Sequence, residues 1–196
     1  YLVSSNEPHA RCIAGLFKDL PARIFNFSAR TIMPENLSVY PGIGVDRVMG
    51  IRAAQKITGF PALVIDGGTA LTYTVADEKG DIIGGGIGPG IKSKFDALHE
   101  HTSALSLITP VYLESLIKEG KKVFDLFGQN TEEAIIASVL LETRSFLKYL
   151  VDTWVERAKD MLRQVGHEDG KKYNNEDTLV TRMKGKWDIN DDVNVV

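Results

Sequence analysis

Apolar and polar residues along the first sixty positions follow two different periods. Residues 1–4 and 23–27 form short alternating runs, which predict strands. Between them apolar residues recur at helical spacing, so we expect a helix that is capped by Asn6 and ends at Leu20. A second helical pattern begins near Asp46 and continues until a Gly-Phe-Pro sequence breaks it.

The middle of the chain predicts a β-hairpin. Residues 62–65 are a run of branched apolar residues, which is typical of a buried strand, and residues 71–75 alternate. A turn signal at 77–80 then leads to a returning strand at 81–83.

A glycine run follows the hairpin. Residues 84–90 contain five glycines, and ordering so many costs conformational entropy, so we expect a loop rather than a regular element. Either the close approach of the backbone to a nucleotide or a wide connection would explain such a loop. A helix over 91–105 and a short helix from Pro110 are predicted next.

The C-terminal part is dominated by one long helical pattern. It starts after a cap at Asn130 or Thr131 and runs to about residue 165, which is long enough to serve a dimer interface as well as a core. Residues 167–177 predict a polar link, and 178–181 a possible strand before an acidic tail.

Composition limits the classes of function. The chain has 196 residues, 43% of them hydrophobic, which is enough to bury one core or the cores of one and a half subdomains. Its net charge is −3, so it offers no basic face for nucleic acid. No apolar run reaches the roughly 20 residues that a membrane span needs. The single Cys12 excludes an intrachain disulfide and is expected to be a small buried residue. Because the chain starts at Tyr1 rather than Met, we expect a fragment or a processed product.

Residues 66–72 form the first candidate site. A Gly-Gly turn lets backbone N–H groups approach an anion, the hydroxyls of Thr69 and Thr72 can donate to phosphate, and Asp66 can hold Mg²⁺. Taken alone, however, the stretch favours an ordinary strand-turn-strand.

Residues 40–47 form a second candidate site. Two glycines precede a helix whose first turn carries Asp46 and Arg47. The arginine can pair with a substrate carboxylate, and the acid can accept a hydroxyl proton. Equally, the acid can stabilise the helix dipole and the arginine can lie on a solvated face.

The histidines predict no metal site. His99 and His101 are two residues apart, so on a helix they point to different faces, and His9 and His167 are isolated.

Three glycine-rich motifs in order carry a resemblance to a known family. The first motif is P-G-I-G-V-D-R at 41–47, the second D-G-G-T-A-L-T at 66–72 and the third G-G-G-I-G-P-G at 84–90. They resemble the type III pantothenate kinases, which follow G-x-D-R, D-x-G-T-A-x-T and G-G-x-I-x-P-G with similar gaps. Thr131 lies in a segment that resembles a fourth family element, and the match covers roughly residues 3–166.

The resemblance implies an α/β fold of the superfamily of acetate and sugar kinases, actin and heat-shock ATPases, which is actin-like or ribonuclease H-like. Two related subdomains would hold the nucleotide between them. On this basis we expect residues 1–60 to be the remainder of the first subdomain, 61–166 the second subdomain with its long C-terminal helix, and 167–196 a linker and tail.

The resemblance also implies roles for individual residues. Asp46 would be the base that deprotonates the pantothenate hydroxyl. Arg47 would hold the pantothenate carboxylate in a pocket that Tyr40 and Gly44 also line, and Thr131 would reach the pantothenate of the partner subunit. The phosphate and nucleotide side would consist of Asp66 as metal ligand together with Gly68, Thr69, Ala70, Gly85, Gly86, Pro89 and Gly90.

The implied reaction is phosphorylation of pantothenate by ATP, the first step to coenzyme A. It would require Mg²⁺ and a monovalent cation, either K⁺ or NH₄⁺, in a homodimer. The expected compartment is the cytoplasm, or an organelle interior if an N-terminal extension carries a targeting segment.

Two departures from the family motifs leave a second hypothesis about the function open. The D-x-G-N-T phosphate loop that family members carry upstream is not in this sequence, and their late Thr-Gly-Gly turn is not recognisable. We therefore expect catalysis only if the full-length chain supplies the upstream loop. The alternative is an inactive relative that serves as a structural or assembly subunit of a larger complex.

Overall fold

The structure is a computed structural model, and it describes residues 2–3, 7–19, 26–33, 40, 42–120 and 126–168. The N-terminal part is a small α/β unit. It consists of β1 (Leu2–Val3), α1 (Glu7–Leu16), β2 (Asn26–Phe27), α2 (Ala29–Ile32) and α3 (Val45–Ile57). Strands β1 and β2 pair in parallel. Parallel strands need a crossover connection, and the predicted strand-helix-strand order provides one through α1.

A three-stranded antiparallel sheet follows α3. Strand β3 (Ala62–Gly67) pairs with β4 (Ala70–Ala76), which pairs with β5 (Ile82–Pro89). Asp77 closes the turn between β4 and β5, because its Oδ1 accepts hydrogen bonds from the backbone N–H groups of Lys79 and Asp81. Gly80 completes the turn at a φ of +89°, which favours glycine.

The glycine run is a strand, and our prediction of a loop is wrong. Gly84, Gly85 and Gly86 pair in register with Val75, Thr74 and Tyr73 of β4. Pairing with β4 continues to Pro89, so the hydrogen bonds of the ladder hold most of the run in an extended conformation.

The C-terminal part is helical. It contains α4 (Ile91–Glu100), α5 (Pro110–Lys118) and α6 (Thr131–Glu168). Helix α4 is shorter than predicted, and His101 caps it by donating its backbone N–H to the carbonyl of Ala97. Asn130 is the cap of α6, because its Oδ1 accepts the N–H of Glu133. The predicted strand at 178–181 and the tail lie outside the described residues.

Two apolar clusters hold these elements. The first lies between α3 and the sheet and contains Met33, Ile43, Val48, Ile51, Ala76 and Ile82. The second lies between α4, α5 and α6 and contains Phe95, Ile108, Ile135, Ile136 and Val139. The first cluster fixes α3 against β4, and this contact positions the candidate site.

Helix α1 does not follow the burial that its pattern suggested. Cys12 is exposed, which corrects the expectation of a buried residue. Leu16 is 74% exposed, and Ile13 and Phe17 are about half as exposed. Helical periodicity predicts an apolar face but not which neighbour covers it, and the described part of the chain places no core cluster against this face.

Among the described residues, no helix combines the length and the apolar character that crossing a membrane requires.

Candidate functional site

The three glycine motifs come together on one sheet, with β4 at its centre. Helix α3 brings Arg47 of the first motif against β4, which carries the last residues of the second motif. The third motif forms β5 along the other edge of β4. Three separate stretches of sequence therefore share one surface.

Arg47 is the best-defined side chain of the candidate site. It is only 6% exposed, so its guanidinium lies under the surface rather than on the solvated face that its helix position allowed. Its Nε donates to the hydroxyl of Thr74 at 2.8 Å, its Nη1 to the hydroxyl of Tyr40 at 3.2 Å and its Nη2 to the carbonyl of Tyr73 at 2.6 Å. The guanidinium carbon lies 5.2 Å from the centre of the Tyr40 ring, within cation–π range.

All of these partners are neutral. Among the described residues, no carboxylate forms an ion pair with Arg47. A buried cation that lacks an anionic partner is costly, and a guanidinium offers a planar fork that fits a carboxylate. The arrangement is therefore suited to binding an anionic group from outside the chain.

Two glycines of β5 make room for neighbouring side chains. A Cβ at Gly85 would collide with the carbonyl oxygen of Tyr73 and with Nη2 of Arg47, and a Cβ at Gly86 would collide with the Tyr73 ring. Sequence reasoning assigned both glycines to the nucleotide. In the structure Gly85 packs against Arg47, and Gly86 packs against the Tyr73 ring.

Asp46 precedes Arg47 but faces away from the sheet. Successive residues on a helix point about 100° apart, so one residue can be buried while the other stays in solvent. Asp46 is exposed in the first turn of α3, and its Oδ1 folds back over Gly44, where a Cβ would collide with it. The carboxylate of Asp46 is therefore exposed to solvent at the start of α3.

The second motif forms a tight turn between β3 and β4. Asp66, Gly68 and Thr69 are all exposed, and the N–H of Gly68 donates to the carbonyl of Ala70 at 2.9 Å. Asp66 lies at the end of β3, directly before the turn.

The start of α4 closes over this turn. The carbonyl of Thr69 accepts the N–H of Gly90 at 2.9 Å and the hydroxyl of Ser93 at 2.6 Å. A Cβ at Gly90 would collide with the carbonyl of Gly68. The second and third motifs are thus in direct contact, and Ser93 contributes to that contact although its sequence context gave no signal.

Lys94 of α4 is a basic side chain in a different setting from Arg47. An open groove of about 410 Å³ lies beside Pro89, and its lining includes Lys94 and Glu142. Lys94 pairs with Glu142 at 3.0 Å and donates to Thr143 at 3.2 Å. This lysine has its own carboxylate partner, whereas Arg47 has none among the described residues.

The described residues contain no group of three or more side chains that could hold a metal ion by themselves. Mg²⁺ in phosphoryl-transfer sites commonly takes one or two carboxylates, keeps several waters and uses phosphate oxygens for the rest. An exposed Asp66 beside a glycine turn fits that mode of binding, in which the nucleotide supplies the other ligands.

Thr131 stands apart from these residues. It is exposed at the first position of α6, and no hydrogen bond of the described residues joins it to α3 or the sheet. Nearby, the pKa of Glu132 lies below its usual value, because the hydroxyl of Ser106 donates to its carboxylate and, to a lesser degree, because of a backbone hydrogen bond.

Comparisons with known proteins agree with the motifs. The sequence profile of the type III pantothenate kinases matches residues 4–153. A type III pantothenate kinase of Nostoc sp. is 33% identical over 123 residues, which is 63% of this chain and 42% of the relative. One from Methylacidiphilum infernorum is 37% identical over 110 residues, 56% of this chain and 37% of the relative. One from Thermobifida fusca is 27% identical over 144 residues, 74% of this chain and 52% of the relative. The chain thus aligns with about half or less of each of these relatives.

Proposed function

The chain belongs to the type III pantothenate kinase family, and we propose that the full protein transfers a phosphoryl group from ATP to the hydroxyl of pantothenate. The observation that carries this proposal is the buried guanidinium of Arg47, which has only neutral partners among the described residues. Pantothenate carries a carboxylate at one end and a primary hydroxyl at the other. It therefore matches a site with a fixed cation and a nearby base.

Substrate binding starts at Arg47. The carboxylate of pantothenate would accept hydrogen bonds from the guanidinium N–H groups that Tyr40, Tyr73 and Thr74 leave open. Gly44 lies at the N-terminus of α3 and keeps the backbone open beside Asp46. This arrangement would anchor the carboxylate end of the substrate, and its hydroxyl end would then have to reach the exposed face of α3 that carries Asp46.

The chemical step needs one base and a neutralised phosphate. The hydroxyl oxygen of pantothenate would attack the γ-phosphorus, the bond from that phosphorus to the bridging oxygen would break, and ADP would leave. Asp46 would accept the hydroxyl proton, because it is the exposed carboxylate next to the substrate anchor.

The phosphates of ATP would lie at the second motif. Backbone N–H groups of Thr69 and Ala70 would donate to them, Gly68 would line the turn with its own N–H bonded to the carbonyl of Ala70, and α4 starts directly behind the turn. Asp66 would hold Mg²⁺, which neutralises phosphate charge when it is bound. Pro89 and Gly90 would border the nucleotide. The monovalent cation expected from the family has no assigned ligand in this proposal.

The larger assembly is also part of the proposal. We expect the actin-like fold with two subdomains, divided near residue 60, and a homodimer in which Thr131 of one subunit reaches the pantothenate of the other. The exposed position of Thr131 at the start of α6 is compatible with that role. The alternative of an inactive structural subunit gains no support, since the relatives described above all carry kinase names.

Substitution of Arg47 tests the proposal. Calorimetric titration of pantothenate into the full-length Arg47→Gln protein should show an affinity at least about thirtyfold below wild type, because one member of a buried charge pair is lost. Arg47→Lys should also bind weakly, since a lysine cannot reproduce the fork geometry.

Arg52→Gln is the matched control, because Arg52 is an exposed arginine on the same helix. It should bind pantothenate like wild type. If Arg47→Gln is folded and binds pantothenate as tightly as Arg52→Gln does, the proposed substrate anchor is wrong.

A further inference from the structure

The Nε of Arg47 donates to the hydroxyl of Thr74 rather than to a carboxylate, so this contact leaves the positive charge of the guanidinium in place. We infer that Thr74 is a specificity-determining residue. It positions the guanidinium without neutralising it, so that the site prefers an anionic ligand over a neutral analogue of the same shape. This inference rests on the proposed function and adds a residue to it.

Thr74 is placed for this role by the register of the sheet. It is 1% exposed in the centre of β4, directly opposite Gly85 of β5. Its hydroxyl oxygen lies 2.8 Å from Nε of Arg47, and the two residues are 27 positions apart in sequence. A buried hydroxyl in such a position has few other partners to choose from, so the bond fixes the plane of the guanidinium.

The hydrogen-bond count leaves donors for a ligand. A guanidinium carries five N–H donors. Thr74, Tyr40 and Tyr73 accept one each, at Nε, Nη1 and Nη2 respectively. One N–H on each terminal nitrogen therefore remains as a donor that a ligand carboxylate could use.

The close approach of β5 keeps the guanidinium from moving elsewhere. Nη2 of Arg47 lies where a Cβ of Gly85 would be, so the side chain is confined between Tyr73 and the backbone of β5. A substitution at position 74 should therefore change the charge or the hydrogen bonding around the guanidinium while the arginine side chain stays in the same place.

Three variants separate charge from hydrogen bonding. Thr74→Asp would give the guanidinium an anionic partner inside the protein, and the attraction for an external carboxylate would fall. Thr74→Val has a similar shape but no acceptor, so the guanidinium keeps its charge and loses its alignment. Thr74→Ser retains the hydroxyl and should behave like wild type.

The test is calorimetric titration of the full-length protein with pantothenate and with pantothenol, which has a neutral alcohol in place of the carboxylate. The measured quantity is the ratio of the two dissociation constants. We expect wild type and Thr74→Ser to prefer pantothenate by about tenfold or more, which corresponds to one charge-assisted hydrogen-bond pair. In Thr74→Asp the ratio should fall towards one, mainly through weaker binding of pantothenate.

Thr143→Val is the matched control. Thr143 is also a buried threonine that accepts a hydrogen bond from a basic side chain, Lys94, but it lies on α6 and outside the proposed site. A general cost of changing a buried threonine would appear in both positions, whereas a shift in the ligand ratio should appear only at Thr74. Thermal melting of each variant shows which of them are folded.

A second readout does not depend on any ligand. The Nε–H resonance of Arg47 should exchange slowly with solvent in wild type and Thr74→Ser, and faster in Thr74→Val. An unchanged ratio in folded Thr74→Asp, or unchanged Nε–H exchange in Thr74→Val, overturns the inference while the proposed function stands. If wild type binds neither compound, the proposed function and the specificity role fail together, and the exchange data still decide whether Thr74 positions Arg47.

Discussion

The dipeptide Asp46-Arg47 shows how one step along a helix can separate two chemical roles. Arg47 is buried against β4, whereas Asp46 remains in solvent on the neighbouring face of α3. The sequence allowed either a functional pair or two ordinary surface residues at a helix start. Burial of the arginine, with three neutral acceptors from β4 and Tyr40, excludes a surface position for Arg47 and supports the proposed site.

Gly85 should be intolerant of a larger residue because of its contact with Arg47. Gly85→Ala should destabilise the protein by about 2–3 kcal/mol and weaken pantothenate binding, because the added Cβ collides with Tyr73 and Arg47. Denaturant unfolding measures the first effect and calorimetric titration the second. Gly88→Ala is the control, since a Cβ added at Gly88 on the same strand would meet no heavy atom within 4 Å. Equal effects of the two substitutions would contradict the packing role given to Gly85.

The hairpin of β4 and β5 is the element that organises the site. Its β4 strand supplies two of the three acceptors for Arg47, and its β5 strand leads directly into Gly90, which donates to Thr69 in the turn between β3 and β4. The contact of Ser93 with Thr69 ties α4 to the same turn. Order in the turn therefore depends on the start of α4, which follows β5 directly in the chain.

Ser93→Ala tests this dependence. Without the Ser93 hydroxyl, the N–H of Gly90 is the donor at the start of α4 that still reaches the carbonyl of Thr69. Amide hydrogen exchange in the turn at 67–70 should therefore accelerate by about fivefold to tenfold, in line with one lost hydrogen bond. Hydrogen exchange read by mass spectrometry measures it.

Ser115→Ala serves as the comparison, because the hydroxyl of Ser115 donates to a helix carbonyl at a similar distance, 2.7 Å, but within α5. It should leave exchange at 67–70 unchanged. Exchange at the turn that is the same in Ser93→Ala as in wild type would show that α4 does not hold the turn.

Sequence patterns predicted some elements better than others. The long helix α6 was predicted well, because helical period is a local signal. Its cap was narrowed to Asn130 or Thr131, and the structure shows that it is Asn130. The glycine strand was missed, since the pairing that makes 84–86 regular comes from β4 rather than from the glycines themselves. Thr74 and Ser93 were also missed, because their partners lie 24 or more residues away and no local pattern reveals such pairs.

For the protein as a whole, the described residues provide one side of a proposed active site. The family profile covers 150 of the 196 positions, from 4 to 153, while the Nostoc relative is matched over 42% of its length. The residues proposed as substrate anchor, base and phosphate-binding turn lie on α3 and in the sheet. Under the proposed function, the opposite side of the nucleotide site would come from parts of the full protein that are not among the described residues.

The proposed kinase activity, with Asp46 as its base, is tested by pantothenate-dependent release of ADP by the full-length protein. The assay contains Mg²⁺ and K⁺ and compares wild type with Asp46→Asn. We predict turnover in wild type and a kcat at least about a hundredfold lower in the variant, because a general base typically contributes that much. The melting temperature should change little, since a single acid at a helix N-terminus is worth no more than about 1 kcal/mol. Turnover of folded Asp46→Asn at the wild-type rate would contradict the role of Asp46, and no turnover in folded wild type would contradict the kinase itself.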